Sequence, residues 1–183
     1  MNLISCDSEE NKVCLPDLII CENYTEINDY IEKLYHIFRR DFIDSFTRFN
    51  DKNVHIRKEP LDNNKESAFI HLTHEDYYHN SANPNDRVPD FRRSERLPWI
   101  KAIIENYKCS LDKHCGRILY WEEIFRGYTR INLLYKDEKY LVVLEKRDFG
   151  YLLITGFYLD TDWALEKRIK KYNQYIKQKT PLT

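Results

Sequence analysis

A chain of 183 residues with 42% apolar side chains, four glycines and six prolines can bury one full core, and its composition excludes a disordered or low-complexity protein. Thirty acidic against twenty-nine basic residues leave almost no net charge, and five cysteines without a CxxC pair exclude a zinc ribbon and favour free thiols in a reducing compartment over a disulfide framework. No run reaches the apolar length of a membrane span, and Met1 to Glu10 lacks the basic start and apolar middle of a secretory signal, so a cytoplasmic protein without membrane contact is expected.

The charge is unevenly spread. Residues 1–91 carry ten Lys and Arg against eighteen Asp and Glu, and residues 92–183 carry nineteen against twelve, so the later half is the one suited to a polyanion. Residues 1–23 read as an arm, with Leu15 to Cys21 its one apolar piece, and residues 24–183 as a single domain. Thr25 is a good N-cap, and Ile27, Ile31, Leu34, Phe38, Phe42, Phe46 and Phe49 recur at helical steps, predicting a helix with that stripe in the core. Val54 to Lys58 and Ser67 to Thr73 read as short strands joined by a turn at Pro60 to Asn64. In the second, Ala68, Ile70 and Leu72 alternate with Phe69, His71 and Thr73. His71, His74 and His79 have a spacing that invites metal, but no fourth ligand accompanies them, and no metal or cofactor is expected.

A polar loop from Glu75 delivers the chain to Asp90, a cap for one helical turn, and Pro98 opens a further helix through Ile100, Ile103, Ile104 and Tyr107. Arg92 and Arg96 fall on one face of that turn, an arrangement that suits guanidinium forks on a phosphate and equally suits pairing with Glu95 and nearby acids. Cys109 and Cys115 flank the loop that follows. Arg117 to Ile124, Thr129 to Tyr135, Tyr140 to Arg147 and Tyr151 to Asp160 then read as strands of an antiparallel meander, and a last helix carries Leu165, Ile169, Tyr172 and Ile176 inward with Lys167, Arg168, Lys170, Lys171 and Lys177 outward. The predicted class is therefore α+β: N-terminal helices, a four-stranded antiparallel β-meander sheet, and a C-terminal helix.

Alternation assigns faces within the meander. A three-residue turn at Asp148 to Gly150 sets Leu144 against Ile154 and Val142 against Gly156 on a core face. It sets Glu145 against Leu153 and Val143 against Thr155 on the other. That second face gathers Arg130, Asn132, Glu145, Arg147, Thr155 and Trp121, and reads either as a binding floor or as a solvated sheet face.

Arg93 to Ile104, the strand with Trp121, the strand opening on Arg130, Tyr140-Leu-Val-Val-Leu-Glu-Lys-Arg147 and Tyr151-Leu-Leu-Ile-Thr-Gly-Phe-Tyr158 together resemble the barnase, EndoU, colicin and RelE-like group of small ribonucleases, most of all its phage- and mobile-element-associated branch. The likeness covers about residues 68 to 160, with Gly156 where Ala is commoner in the group. It implies metal-independent cleavage of tRNA or mRNA by a toxin, with an antitoxin or immunity protein as a further partner. Carried over by position, His71 would be the catalytic histidine, Arg92, Arg93 or Arg96 with Arg130 and Arg147 the phosphate-binding arginines, and Thr155 the hydroxyl of the last strand.

In such a reaction the RNA 2′-hydroxyl attacks the adjacent phosphorus and leaves a 2′,3′-cyclic phosphate. His71 would move a proton, Arg96 with Arg130 or Arg147 would stabilise the phosphorane, and Trp121 and Tyr158 would stack on bases. His74, Glu145, a tyrosine or no residue at all would be the second proton carrier. The alternative is a binding module for RNA or protein that keeps the fold without a catalytic centre. Convergence of His71, an arginine and Thr155 on one phosphate-sized space separates the two.

Overall fold

The computed structural model describes residues 15–76, 87–110 and 118–179. The first part of the arm, the loop with His79 and the loop with Cys115 lie outside the described residues, as do the expectations placed on them. What remains of the arm is docked. Ile19 N–H donates to the Glu95 carbonyl at 3.0 Å and Trp99 Nε1 to the Pro16 carbonyl at 2.7 Å, while Leu15, Leu18 and Ile19 pack on the main core.

Helix α1 (Ile27–Phe42) follows a 3-10 turn capped by Asn23, and buries Tyr30, Leu34, Phe38 and Phe42. The expected stripe continued to Phe49, but the helix stops at Phe42 and Phe46 is exposed. Thr47 donates to the Asp41 carbonyl at 2.7 Å and turns the chain back, so Phe49 enters the same core from strand β1 (Arg48–Phe49). Strand β2 (Lys52–His55) pairs with β1 across Asn50 and Asp51, both at positive φ.

Ser67 to Thr73 was expected as a strand and is helix α2 (Ser67–Thr73). Ala68, Phe69, Ile70, Leu72 and Thr73 are all buried, so the segment carries no clean period of either kind, and the alternation that suggested a strand came from two polar residues among buried apolar ones. Strands β3 (His74–Asp76) and β4 (Arg87–Pro89) form an antiparallel pair of their own. Asp90 caps α3 (Phe91–Ser94) as expected, accepting the Arg93 N–H at 3.2 Å, and Pro98 lies in the first turn of α4 (Leu97–Glu105). Then come β5 (Ile118–Phe125), β6 (Tyr128–Tyr135), β7 (Tyr140–Arg147), β8 (Gly150–Tyr158) and α5 (Asp162–Lys179).

The class is α+β, but the meander is only part of the sheet. Six strands run in the order β1-β2-β8-β7-β6-β5, and β2 lies parallel to β8 through Val54 with Tyr151 and His55 with Leu152. The sheet is therefore mixed. The strand expected at Val54 to Lys58 overlaps β2, but a pairing only two residues deep left no sign in its pattern that it joins the sheet beside β8.

The register across β7 and β8 also differs from expectation. Arg147 faces Gly150, leaving a two-residue turn, Glu145 faces Leu152 and Leu144 faces Leu153. Ile154 is then an extra residue, a bulge, after which Val143 meets Thr155 and Val142 meets Gly156 as predicted. Leu152, Leu153 and Ile154 are all apolar, so alternation could not show where the phase changes.

Both faces of the sheet are covered. Helices α1, α2 and α4 pack on Ile131, Leu133, Val142, Leu144 and Leu153, and α5 packs on Trp121, Leu134, Leu141 and Val143. The fit is close at Gly156, where a Cβ would meet Ile100 Cγ1 and Cδ1 at 2.9 Å and the Tyr140 hydroxyl at 3.0 Å. Gly156→Ala should therefore destabilise the fold by about 1–3 kcal/mol through overpacking. Adding Ile100→Val should return part of the loss in urea unfolding, and an unchanged midpoint in Gly156→Ala would contradict this packing.

Candidate functional site

The residues singled out in the sequence fall into three places. Arg92, Arg93, Arg96 and Tyr158 gather at the end of β8, beside a cleft of about 600 Å³ between α3 and the start of α5. Arg92 pairs with Asp160, Arg93 with Asp90 at 2.9 Å and Arg96 with Glu95 at 3.7 Å. Arg92 and Arg96 do share a face, as their spacing predicts, with guanidinium carbons 5.8 and 5.1 Å from the Tyr158 ring centroid. Each has an internal acid for a partner.

Arg130, Arg147 and Thr155 lie on the second face, with Thr155 opposite Val143. Their organiser is Glu145, 3% exposed, which takes Arg130 Nε at 3.3 Å on one oxygen and Arg147 Nη2 on the other. Arg147 Nε is buried with no acceptor among the described residues. Each guanidinium also meets a ring: Arg130 lies 3.8 Å from the Phe125 centroid and Arg147 3.9 Å from that of Tyr128. Trp121, expected to stack on a base, is 1% exposed beneath α5 and is a packing residue. The supposed open floor is thus closed over most of its area by the last helix.

His71 is on α2, on the first-face side of the sheet, with Arg130, Arg147 and Thr155 on the second face. The convergence expected from the strand reading does not occur, because a helix at residues 67–73 changes where the imidazole stands. His71 instead lines a different cleft, about 560 Å³, between α2, the turn at Pro60 to Asn63 and the start of β8. Its lining includes Arg57, Arg87, Asp62, Asn63 and Ser67 over a floor of Ile70, Leu72, Leu152, Leu153 and Ile154. Two guanidiniums, an imidazole and a carboxylate around an apolar floor suit a ligand with an anionic group and a flat apolar part.

No family model, curated protein or solved structure matches the chain. The chemistry of the cleft has to be read from its own groups.

Arg57, Arg87 and Asp62 were missed in the sequence. The misread strand hid them, since they surround α2 rather than the sheet face on which partners for His71 were sought. His74, one residue past α2, is partly buried on its inner side. Thr73 commits its hydroxyl proton to the Phe69 carbonyl at 2.7 Å, so His74 Nδ1 is the donor in its 2.8 Å contact with Thr73 Oγ1. Burial holds the His74 pKa below its ordinary 6.5, Asp62 opposing the shift and Arg87 adding to it. Among the described residues no three His, Cys, Asp or Glu side chains stand together as a metal site.

A folded-state pKa below 6.5 means that the unfolded chain takes up this proton first on acidification. Stability in urea should therefore fall as pH drops below about 6.5, and His74→Gln should flatten that part of the profile. A variant with the wild-type slope would place the acid sensitivity elsewhere.

Proposed function

We propose that the chain is a metal-independent endoribonuclease whose reaction takes place in the His71 cleft. One observation carries the reading: His71 shares a nucleotide-sized cleft with Arg57, Arg87 and Asp62. Those are the side chains that transesterification of RNA requires. A base removes the 2′-hydroxyl proton as the 2′-oxygen bonds to phosphorus, an acid protonates the 5′-oxygen as its bond to phosphorus breaks, and cations hold the charge that builds on the non-bridging oxygens.

In this cleft His71 and Asp62 are the two groups suited to carry the protons, and Arg57 and Arg87 the two suited to the phosphorane. The apolar floor of Leu152 to Ile154 would lie under a base or ribose and exclude water from the reacting phosphate. Arg92, Arg93 and Arg96 with Tyr158, and Arg130 with Arg147, then become contacts to flanking RNA. Thr155 has no direct part in the chemistry under this reading.

A second reading is favoured by the separation of His71 from Arg130, Arg147 and Thr155. Under it the chain binds RNA or a protein partner without cutting. The two readings divide on one experiment: purified protein, His71→Ala and Arg57→Ala/Arg87→Ala with tRNA and a labelled mRNA in excess EDTA. The expected result is fragments with 2′,3′-cyclic phosphate ends, reduced by about 10²- to 10⁴-fold in His71→Ala. Binding without fragments would establish the second reading, and equal cutting by His71→Ala would remove this cleft from the chemistry.

A further inference from the structure

The end of the sheet nearest the β5–β6 turn carries an arrangement that the cleft does not use. Arg126 and Gly127, both at positive φ, make a tight two-residue turn, and Phe125 and Tyr128 are the strand pair that closes it. Both rings stand on the second face of the sheet, 40% and 45% exposed, beyond the point where Lys171 of α5 pairs with Glu123 at 2.5 Å. Rings of this size at the tip of a hairpin add little to a core. Here each is backed by a guanidinium held in place by Glu145, Arg130 on Phe125 and Arg147 on Tyr128; Arg126 also lies 5.3 Å from the Phe125 centroid, and both rings retain exposed area for another flat partner.

We propose that Phe125 and Tyr128 form a stacking subsite for unpaired nucleotides of the RNA that enters the His71 cleft. The proposal rests on the endoribonuclease reading and adds the kind of RNA that fits. Guanidinium, ring and base stacked in that order gain twice, from base–aromatic stacking and from the cation on the far face, and the exposed edges of the same guanidiniums can hold the phosphate between stacked bases. A duplex has no free base faces and cannot use the rings.

Position supports continuity with the cleft. Glu145, which holds both arginines, sits opposite Leu152 across the β7–β8 pairing, and Leu152 lines the His71 cleft. The cleft lies on the first-face side and the arginines on the second, so an RNA strand held at both would pass round β8 beside Leu152. The local charge agrees. Arg130 and Arg147 share one buried carboxylate there and Arg126 stands in the adjoining turn, while Glu123 is already held by Lys171 and Asn132.

The test uses the full chain in EDTA. A short labelled oligouridylate, its duplex with oligoadenylate, and a dinucleoside monophosphate are given to wild type, Phe125→Ala/Tyr128→Ala and Phe125→Leu/Tyr128→Leu, with thermal unfolding as the check on folding. Each ring is expected to contribute about 5- to 150-fold to affinity for the single strand. Both double variants should therefore bind the oligouridylate more weakly and cut it with a raised KM, while cleaving the dinucleoside monophosphate at the wild-type rate. The duplex should bind less tightly than the single strand and be insensitive to the substitutions. Equal binding of single strand and duplex, or variants that match wild type on the long substrate, would overturn the subsite while leaving the cleft reading intact. A wild type that cuts neither substrate yet loses oligouridylate binding on ring removal would sink the cleavage reading and keep the stacking surface. A folded wild type that binds and cuts no RNA would sink both, and would leave the aromatic end as a docking face for protein.

Discussion

Strand β8 pairs with β7 along its length but with β2 only at Tyr151 and Leu152, and that incomplete second pairing governs the rest of the structure. Past Leu152 the outer side of β8 is met by α2 rather than by another strand, and the bulge at Ile154 adds a residue where the two meet. A helix cannot follow a strand edge as closely as a paired strand does, because side chains rather than backbone hydrogen bonds set the separation. The His71 cleft occupies that gap. Its floor is three consecutive residues of β8, and its rim comes from the segments that had to leave the sheet: the turn after β2, α2 and β4.

The bulge has a second consequence. It turns Leu153 to the first core and Ile154 to the second, so one step along β8 serves both faces. Without the extra residue, Thr155 and Phe157 would face α4, and Gly156 would not lie under Ile100. The fit of Gly156 against Ile100 and Tyr140 therefore depends on the bulge.

Polar groups on the second face fall into two electrostatic settings. Under α5, Trp121, Leu134, Leu141 and Val143 leave few charges, and the helix is tied down at its rim through Lys139 with Asp162 and Lys171 with Glu123. At the hairpin end, Glu145 is buried against two arginines. A single buried charge costs several kcal/mol to desolvate, and only paired, hydrogen-bonded geometry offsets this. Two guanidiniums on one carboxylate leave a net positive charge near the surface.

How much of this was legible in the sequence follows from the physical signals involved. The four meander strands were visible because long β-branched and aromatic runs between short turns admit little else, and Asp90 and Pro98 announced their helices by capping chemistry. The extent of α1 was misread because Phe46 and Phe49 keep helical spacing after the helix has ended, and α2 because a short, wholly buried segment has no amphipathic period to read. That last error propagated to the site. A strand at His71 would aim its imidazole across the sheet at Arg130 and Thr155, and a helix there places it in a cleft that Arg57 and Arg87 also line, residues with no pattern of their own. The side chains of the cleft were thus only partly recoverable: His71 from its chemistry, Arg57 and Arg87 only from the fold. The aromatic end shows the converse. Arg130, Glu145 and Arg147 were placed on one face by parity alone, yet the rings that complete them come from a turn whose tightness only the paired strands reveal. Parity carries a side chain to the correct face of a sheet. Which neighbours it finds there is decided by where each strand stops, and in this chain β2 stops beside the His71 cleft while β5 and β6 meet at the turn that carries Phe125 and Tyr128.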